Sequence, residues 1–209
     1  TCEHVVVLGS SCTLSGFMVT RGSGVRGGGI YITDSASDCA VEFCTVAANE
    51  AEERGGGIFA FAGTTVIRDC VFERNFVEDH GAAVYVTSGV AVERCRFRGN
   101  RAGSHGGAVY AIVGSSFTNC VFSSNVSGSY GGALYATYTT GLAGMVVQVT
   151  NCSFAGNSAN RGGALHGAYG YLSLTNSIVW GNTATTYPQI YGDTPSVAHS
   201  CVQGGWAGT

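Results

Sequence analysis

One phrase recurs down the chain about every 25 residues: Cys-x-Phe-x-x-Asn, a short gap, then Gly-Gly-Ala-aliphatic-Tyr. Cys95 to Asn100 leads into Gly106 to Tyr110, and Cys120 to Asn125 leads into Gly131 to Tyr135. A fixed period of this size marks a repeat architecture, in which each unit buries its apolar face only against its neighbours. The closing Asn falls at Asn49, Asn75, Asn100, Asn125, Asn157 and Asn182, with Gly22 in the same place in the first unit. The steps are 27, 26, 25, 25, 32 and 25 residues. No Pro-rich linker or charge run interrupts them. The reading is therefore one solenoid domain over residues 1–209, with about seven or eight coils.

Each coil offers three short apolar stretches with period-2 alternation, punctuated by Gly and Asn, so each reads as three short strands. Three strands per coil predict an all-β, right-handed parallel β-helix, since parallel crossovers take that hand. At the strand spacing of about 4.8 Å, the rod is roughly 35–40 Å long.

Facing follows from charge. In Cys-x-Phe-x the residues flanking Phe are Arg96 and Arg98 in one coil and Val71 and Glu73 in another. Charge belongs outside, so Cys and Phe point inward. This predicts an inner Phe ladder and an inner Cys ladder of Cys44, Cys70, Cys95, Cys120 and Cys152. Between two buried aliphatic rows of the first strand lies a row that must face out: Tyr31, Phe59, Tyr85, Tyr110, Tyr135, His166 and Tyr191. An exposed aromatic strip of this kind is a candidate binding face, for sugar rings or for another solenoid. Stacked aromatics also support one another without any ligand. The Asn column suits a sharp left-handed turn and an amide ladder from coil to coil.

Nine cysteines occur, but the five at the inward position act as small hydrophobes at a spacing foreign to zinc sites. Cys12 and Cys39 occupy equivalent places on neighbouring coils and are a possible disulfide. Arg68 with Glu93, Asp69 with Arg94, and Glu73 with Arg98 are each one period apart, and should pair across coils. One turn stacks Glu52 over Glu78 and Glu53 over Asp79, beside a column reading Arg26, Arg54, His80, His105, Tyr130 and Arg161. Four carboxylates could hold Ca²⁺ or do acid–base work on a glycan. The plainer reading is a solvated acidic turn without a cofactor. The formal net charge of −3 gives no reason to expect nucleic acid, and no apolar run is long enough to span a membrane.

At these motifs the chain resembles the polymorphic outer membrane protein repeats of bacterial autotransporter-like surface proteins. The carrying residues are the Gly-Gly-Ala and Phe-x-x-Asn phrases; the fuller pattern, with Leu14 to Phe17, Gly27 to Tyr31, Asn176 to Asn182 and Val202 to Trp206, also resembles large exported bacterial right-handed β-helix proteins. The resemblance spans about residues 14–206. It implies export, an extracellular or cell-surface location, and a structural, adhesive or fibre-forming role. Pectate-lyase-like enzymes share the architecture and place carboxylates on a strand face. Here the outer face of the first strand has none, which favours a non-catalytic module over a lyase or hydrolase. Neither end offers a capping helix. The chain is thus expected to be a piece of a longer solenoid or a subunit that self-associates through its ends, with a glycan or another surface protein as further partner.

Overall fold

The structure, a computed structural model, describes residues 4–33, 36–61, 64–87, 89–138, 145–193 and 195–205. It is a right-handed parallel β-solenoid of about seven turns of about 25 residues. Three sheets of eight strands are the three expected ones. The first runs through Val6–Leu8, Ile30–Ile32, Ile58–Ala60, Val84–Val86, Val109–Ile112, Leu134–Thr137, Leu165–Gly167 and Ile190–Gly192. The second carries the alternation before each Cys, such as Ala91–Glu93, and the third the Cys-x-Phe stretch, such as Arg96–Arg98.

The count of three strands per coil needs correcting. A fourth sheet of seven strands occupies the gap between Asn and Gly-Gly, from Ser23–Arg26 and Glu50–Arg54 to Thr183–Thr186. Some of its strands, such as Phe76–Val77 and Arg101–Ala102, are two residues long, too short for a period-2 pattern. They form because the chain leaving each Asn already lies one hydrogen bond from the coil before. Phe76 N–H donates to Asn49 C=O at 2.8 Å, and Arg101 N–H to Asn75 C=O at 3.0 Å.

Stacking is in register, so equivalent positions of the repeat sit on one another: Val71↔Arg96, Phe72↔Phe97 and Glu73↔Arg98. Phe72, Phe97, Phe122 and Phe154 are buried and form one stack, with centroids 4.6–4.9 Å apart and planes within 6°. Each contributes about 1.5–3 kcal/mol of burial. The helix Ala168–Gly170 is a single 3-10 turn, and among the described residues no helix is long and apolar enough to cross a membrane.

The corners are left-handed, at positions other than the Asn itself. Positive φ belongs to the residue before it: Ala48, Arg74, Gly99, Ser124 and Gly156, at 53–65°. The residue before each Cys is likewise left-handed, at Phe43, Asp69, Arg94, Asn119 and Asn151. The Asn is buried and bonds through its side chain. Asn75 Nδ2 donates to Asn100 Oδ1 at 3.0 Å and to Val46 C=O at 2.9 Å, and the pattern repeats through Asn182. Gln189 and Gln203 continue the amide chain beyond it.

The cysteines of the inner column are buried and do more than fill space. Each thiol donates to the carbonyl two residues back, as Cys95 does to Glu93 at 3.2 Å. Some accept from the coil before, as Cys70 Sγ does from Cys44 N–H at 3.4 Å. Ser177 takes over the position by accepting from Cys152 N–H at 3.0 Å, and Ser200 by accepting from Ser177. The neighbouring thiols of the column, together with burial, push Cys70 and Cys120 up in pKa. The proposed Cys12–Cys39 bridge is absent, since both are free. Although the flanking Thr13 and Ala40 pair, each thiol is turned onto a carbonyl, Cys39 onto Gly9 C=O and Cys12 onto Ser10 C=O.

Candidate functional site: an aromatic seam and its roof

The aromatic row of the first sheet stacks continuously. Ring centroids lie 5.4 Å apart for Tyr31–Phe59, 5.3 Å for Phe59–Tyr85, 4.8 Å for Tyr85–Tyr110, 5.0 Å for Tyr110–Tyr135 and 4.8 Å for Tyr135–His166. His4 extends one end and Tyr191 the other. Such pairs contribute about 0.5–1.5 kcal/mol each beyond burial.

The row is outside the barrel but is not an open strip, which corrects the exposed-face expectation. Phe59 is fully buried, Tyr85 is 6% exposed and His166 8%, while Tyr31, Tyr110, Tyr135 and Tyr191 are half-buried. A second column roofs them. Arg26 lies over Phe59 at 5.8 Å and Arg54 over Tyr85 at 5.3 Å. His80 stacks on Tyr110 at 4.9 Å, His105 on Tyr135 at 4.7 Å, Tyr130 on His166 at 5.0 Å, and Arg161 lies over Tyr191 at 5.6 Å. Each roof residue covers the ring of the following coil. The glycine after it causes this. Gly81, Gly106 and Gly131 turn at φ 65–67°, folding the fourth sheet back against the first. The roof residues were legible as a column, but nothing in their spacing shows which neighbour they cover.

Two histidines of the roof and one of the row are held toward their neutral form. Burial pushes His80, His105 and His166 down in pKa, His166 to about 4. The Nδ1 atoms of His80 and His166 are buried without a partner. His166 is enclosed by Tyr130, Tyr135 and Tyr191, with His105 lowering and Asp193 raising its pKa. A folded pKa below the unfolded value means the unfolded chain binds protons first as pH falls. Stability present at pH 7.5 is then lost progressively from about 6.5 downward. His166 alone accounts for up to about 3 kcal/mol of that loss by pH 4. Urea midpoints at pH 7.5 and 4.5 test it. The wild type should drop, and His166→Tyr, which restores the residue common in this row, should drop clearly less. Equal drops in the two proteins would refute the assignment.

The acidic turn is an outer surface of the fourth sheet. Glu52, Glu53 and Glu78 are exposed and Asp79 is half-buried. Arg26 holds Glu53 at 2.9 Å, and His80 lies 3.3 Å from Asp79. Among the described residues no group of three or more His, Cys, Asp or Glu is placed to ligate a metal. Of the expected ion pairs, Arg94–Asp69 forms at 2.8 Å, and the Arg94 guanidinium holds the Asp69 carboxyl below its usual range. Arg68 turns to Glu42 on the other side instead of to Glu93, and Glu73–Arg98 is not among the ion pairs of the described residues. The long step of 32 residues from Asn125 to Asn157 carries extra residues at 137–145, of which 139–144 lie outside the described residues.

Comparison with known proteins gives two family matches. The right-handed beta helix region matches residues 3–145. The Chlamydia polymorphic membrane protein repeat matches residues 151–168, the stretch holding Phe154, Asn157 and Gly162 to Leu165. No curated protein and no solved structure matches the chain.

Proposed function

The chain belongs to the right-handed β-helix family, and from that premise we propose that it is a non-catalytic surface module with a structural or adhesive role. The polymorphic membrane protein repeat suggests a surface-associated protein. The observation that carries the proposal is how the reactive side chains are used. Glu53, Asp69 and Glu42 are bound by arginines of an adjacent coil, and His80, His105 and His166 are stacked in the seam. These groups bond coil to coil, and the product is a stiff rod with a chemically varied outer surface. Such a rod suits display and adhesion better than turnover.

The test has two arms. The protein is incubated with polygalacturonate and with alginate, and unsaturated products and reducing ends are measured. The combined replacement of Glu52, Glu53, Glu78 and Asp79 by Ala is run beside it. No cleavage is expected from either, with the fold intact by circular dichroism. Cleavage by the native chain that the replacement abolishes would overturn the proposal. In the second arm, native protein should be retained on glycan-coated surfaces.

A further inference from the structure

The fourth sheet changes length between the fifth and sixth coils. Asn125 and Gly131 are six residues apart, whereas Asn157 and Gly162 are five apart. Val126 pairs with Ser158 at one end of this segment and Tyr130 with Arg161 at the other. Ser127, Gly128 and Ser129 therefore face only Ala159 and Asn160. Asn160 Nδ2 bonds Gly128 C=O at 2.8 Å across the mismatch. The missing residue leaves a recess lined by Ser129, Tyr130, Asn160, Arg161, Thr185 and Thr186.

An internal comparison shows what is missing there. The first and second coils carry a step of the opposite sense, the shorter segment coming first, where the register shifts between Gly24 and Arg26. At that step Arg26 is held by Glu53, the residue just before the roof position of the next coil. Arg161 pairs in register with Thr186, so the residue in the place of Glu53 is Thr185. Arg161 has no carboxylate partner among the ion pairs of the described residues. It bonds the Tyr191 hydroxyl at 3.4 Å and is held over the Tyr130 and Tyr191 rings. A guanidinium positioned by two rings, beside a threonine where its twin has a glutamate, is poised for a carboxylate from outside.

We infer that this recess binds a single sugar residue bearing a carboxylate, at the end of a glycan chain; the inference rests on the adhesive reading. The hydroxyls of Ser129, Thr185 and Thr186 and the Asn160 amide match a polyhydroxylated ring. Tyr130 lines the same recess with an aromatic ring. One cation matches one negative charge. The register is even from Arg54 through His80 and His105 to Tyr130, and again from Arg161 to Thr186. The recess is therefore one step long, room for a terminal residue and not for a polymer laid along the rod.

Titration calorimetry with sialyllactose and methyl glucuronide as anionic probes, and lactose as the neutral one, tests this. At least one anionic probe should bind while lactose stays inert. Arg161→Gln should weaken that binding by at least about tenfold. Arg161→Lys should weaken it less, because it keeps the charge and loses the fork. Thr185→Glu leaves Arg161 in place but supplies the internal carboxylate, and should block the site with no fall in melting temperature. No anionic binding, equal binding of lactose, or unchanged binding by Thr185→Glu would each overturn the site. Retention of native protein on glycan-coated surfaces separates the two ideas. Retention that survives Thr185→Glu refutes this site and leaves the adhesive role standing, whereas a native protein retained nowhere refutes that role.

Discussion

Asn125→Ala is expected to destabilise the rod by about 3–5 kcal/mol. The side chain is fully buried and makes four hydrogen bonds. Its Nδ2 donates to Phe97 C=O at 3.0 Å and to Asn157 Oδ1 at 2.9 Å, and its Oδ1 accepts from Asn100 N–H at 3.1 Å and Asn100 Nδ2 at 2.9 Å. Alanine removes all four and strands the Asn100 N–H in a dry interior, while Asn100 Nδ2 keeps its bond to Phe72 C=O. The loss should propagate, because each coil is stabilised by its neighbours. Urea unfolding should show a lower midpoint and fastest amide exchange in the two coils flanking the substitution. A loss under about 1 kcal/mol would mean that the amide column is replaceable by packing alone.

Gly106→Val should cost about 3–5 kcal/mol, with Gly99→Ser as its contrast. Both glycines are left-handed, at φ 67° and 63°. A Cβ on Gly106 would sit 2.1 Å from Val109 C=O and 2.6 Å from its carbon, backbone atoms that cannot yield. A Cβ on Gly99 meets nothing nearer than the Arg74 side chain at 3.9 Å. Ser124 already holds the equivalent corner one coil on, at φ 55°. Gly99→Ser should therefore lie within about 1 kcal/mol of wild type. Tyr187 does occupy the Gly106-type corner in the last coil, at φ 56°. Gly106 differs in having a coil of the first sheet stacked on either side. Thermal melts of the two variants would decide it, and equal melting temperatures would show that the corner is set by backbone strain and not by crowding.

The repeat determined the solenoid, because a fixed period puts the same residue at the same point of every coil. Period-2 alternation then settled which side chains enter the core: Phe97 between two arginines could only point inward. The amide and thiol columns were legible for the same reason, since one coil predicts the next. What lay beyond the sequence was every relation that the period does not report. The fourth strand is two residues long in places, too short to leave a pattern, and forms only once the Asn corner has placed it beside the preceding coil. The roof over the aromatic row was unreadable because Arg54 and Tyr85 meet across a glycine corner whose angle no spacing reports. Arg68 chose Glu42 over Glu93 because register allows both, and side-chain geometry alone separates them. The recess at Arg161 was present in the sequence as one residue missing between Asn157 and Gly162, but only packed coils turn a deletion into a cavity.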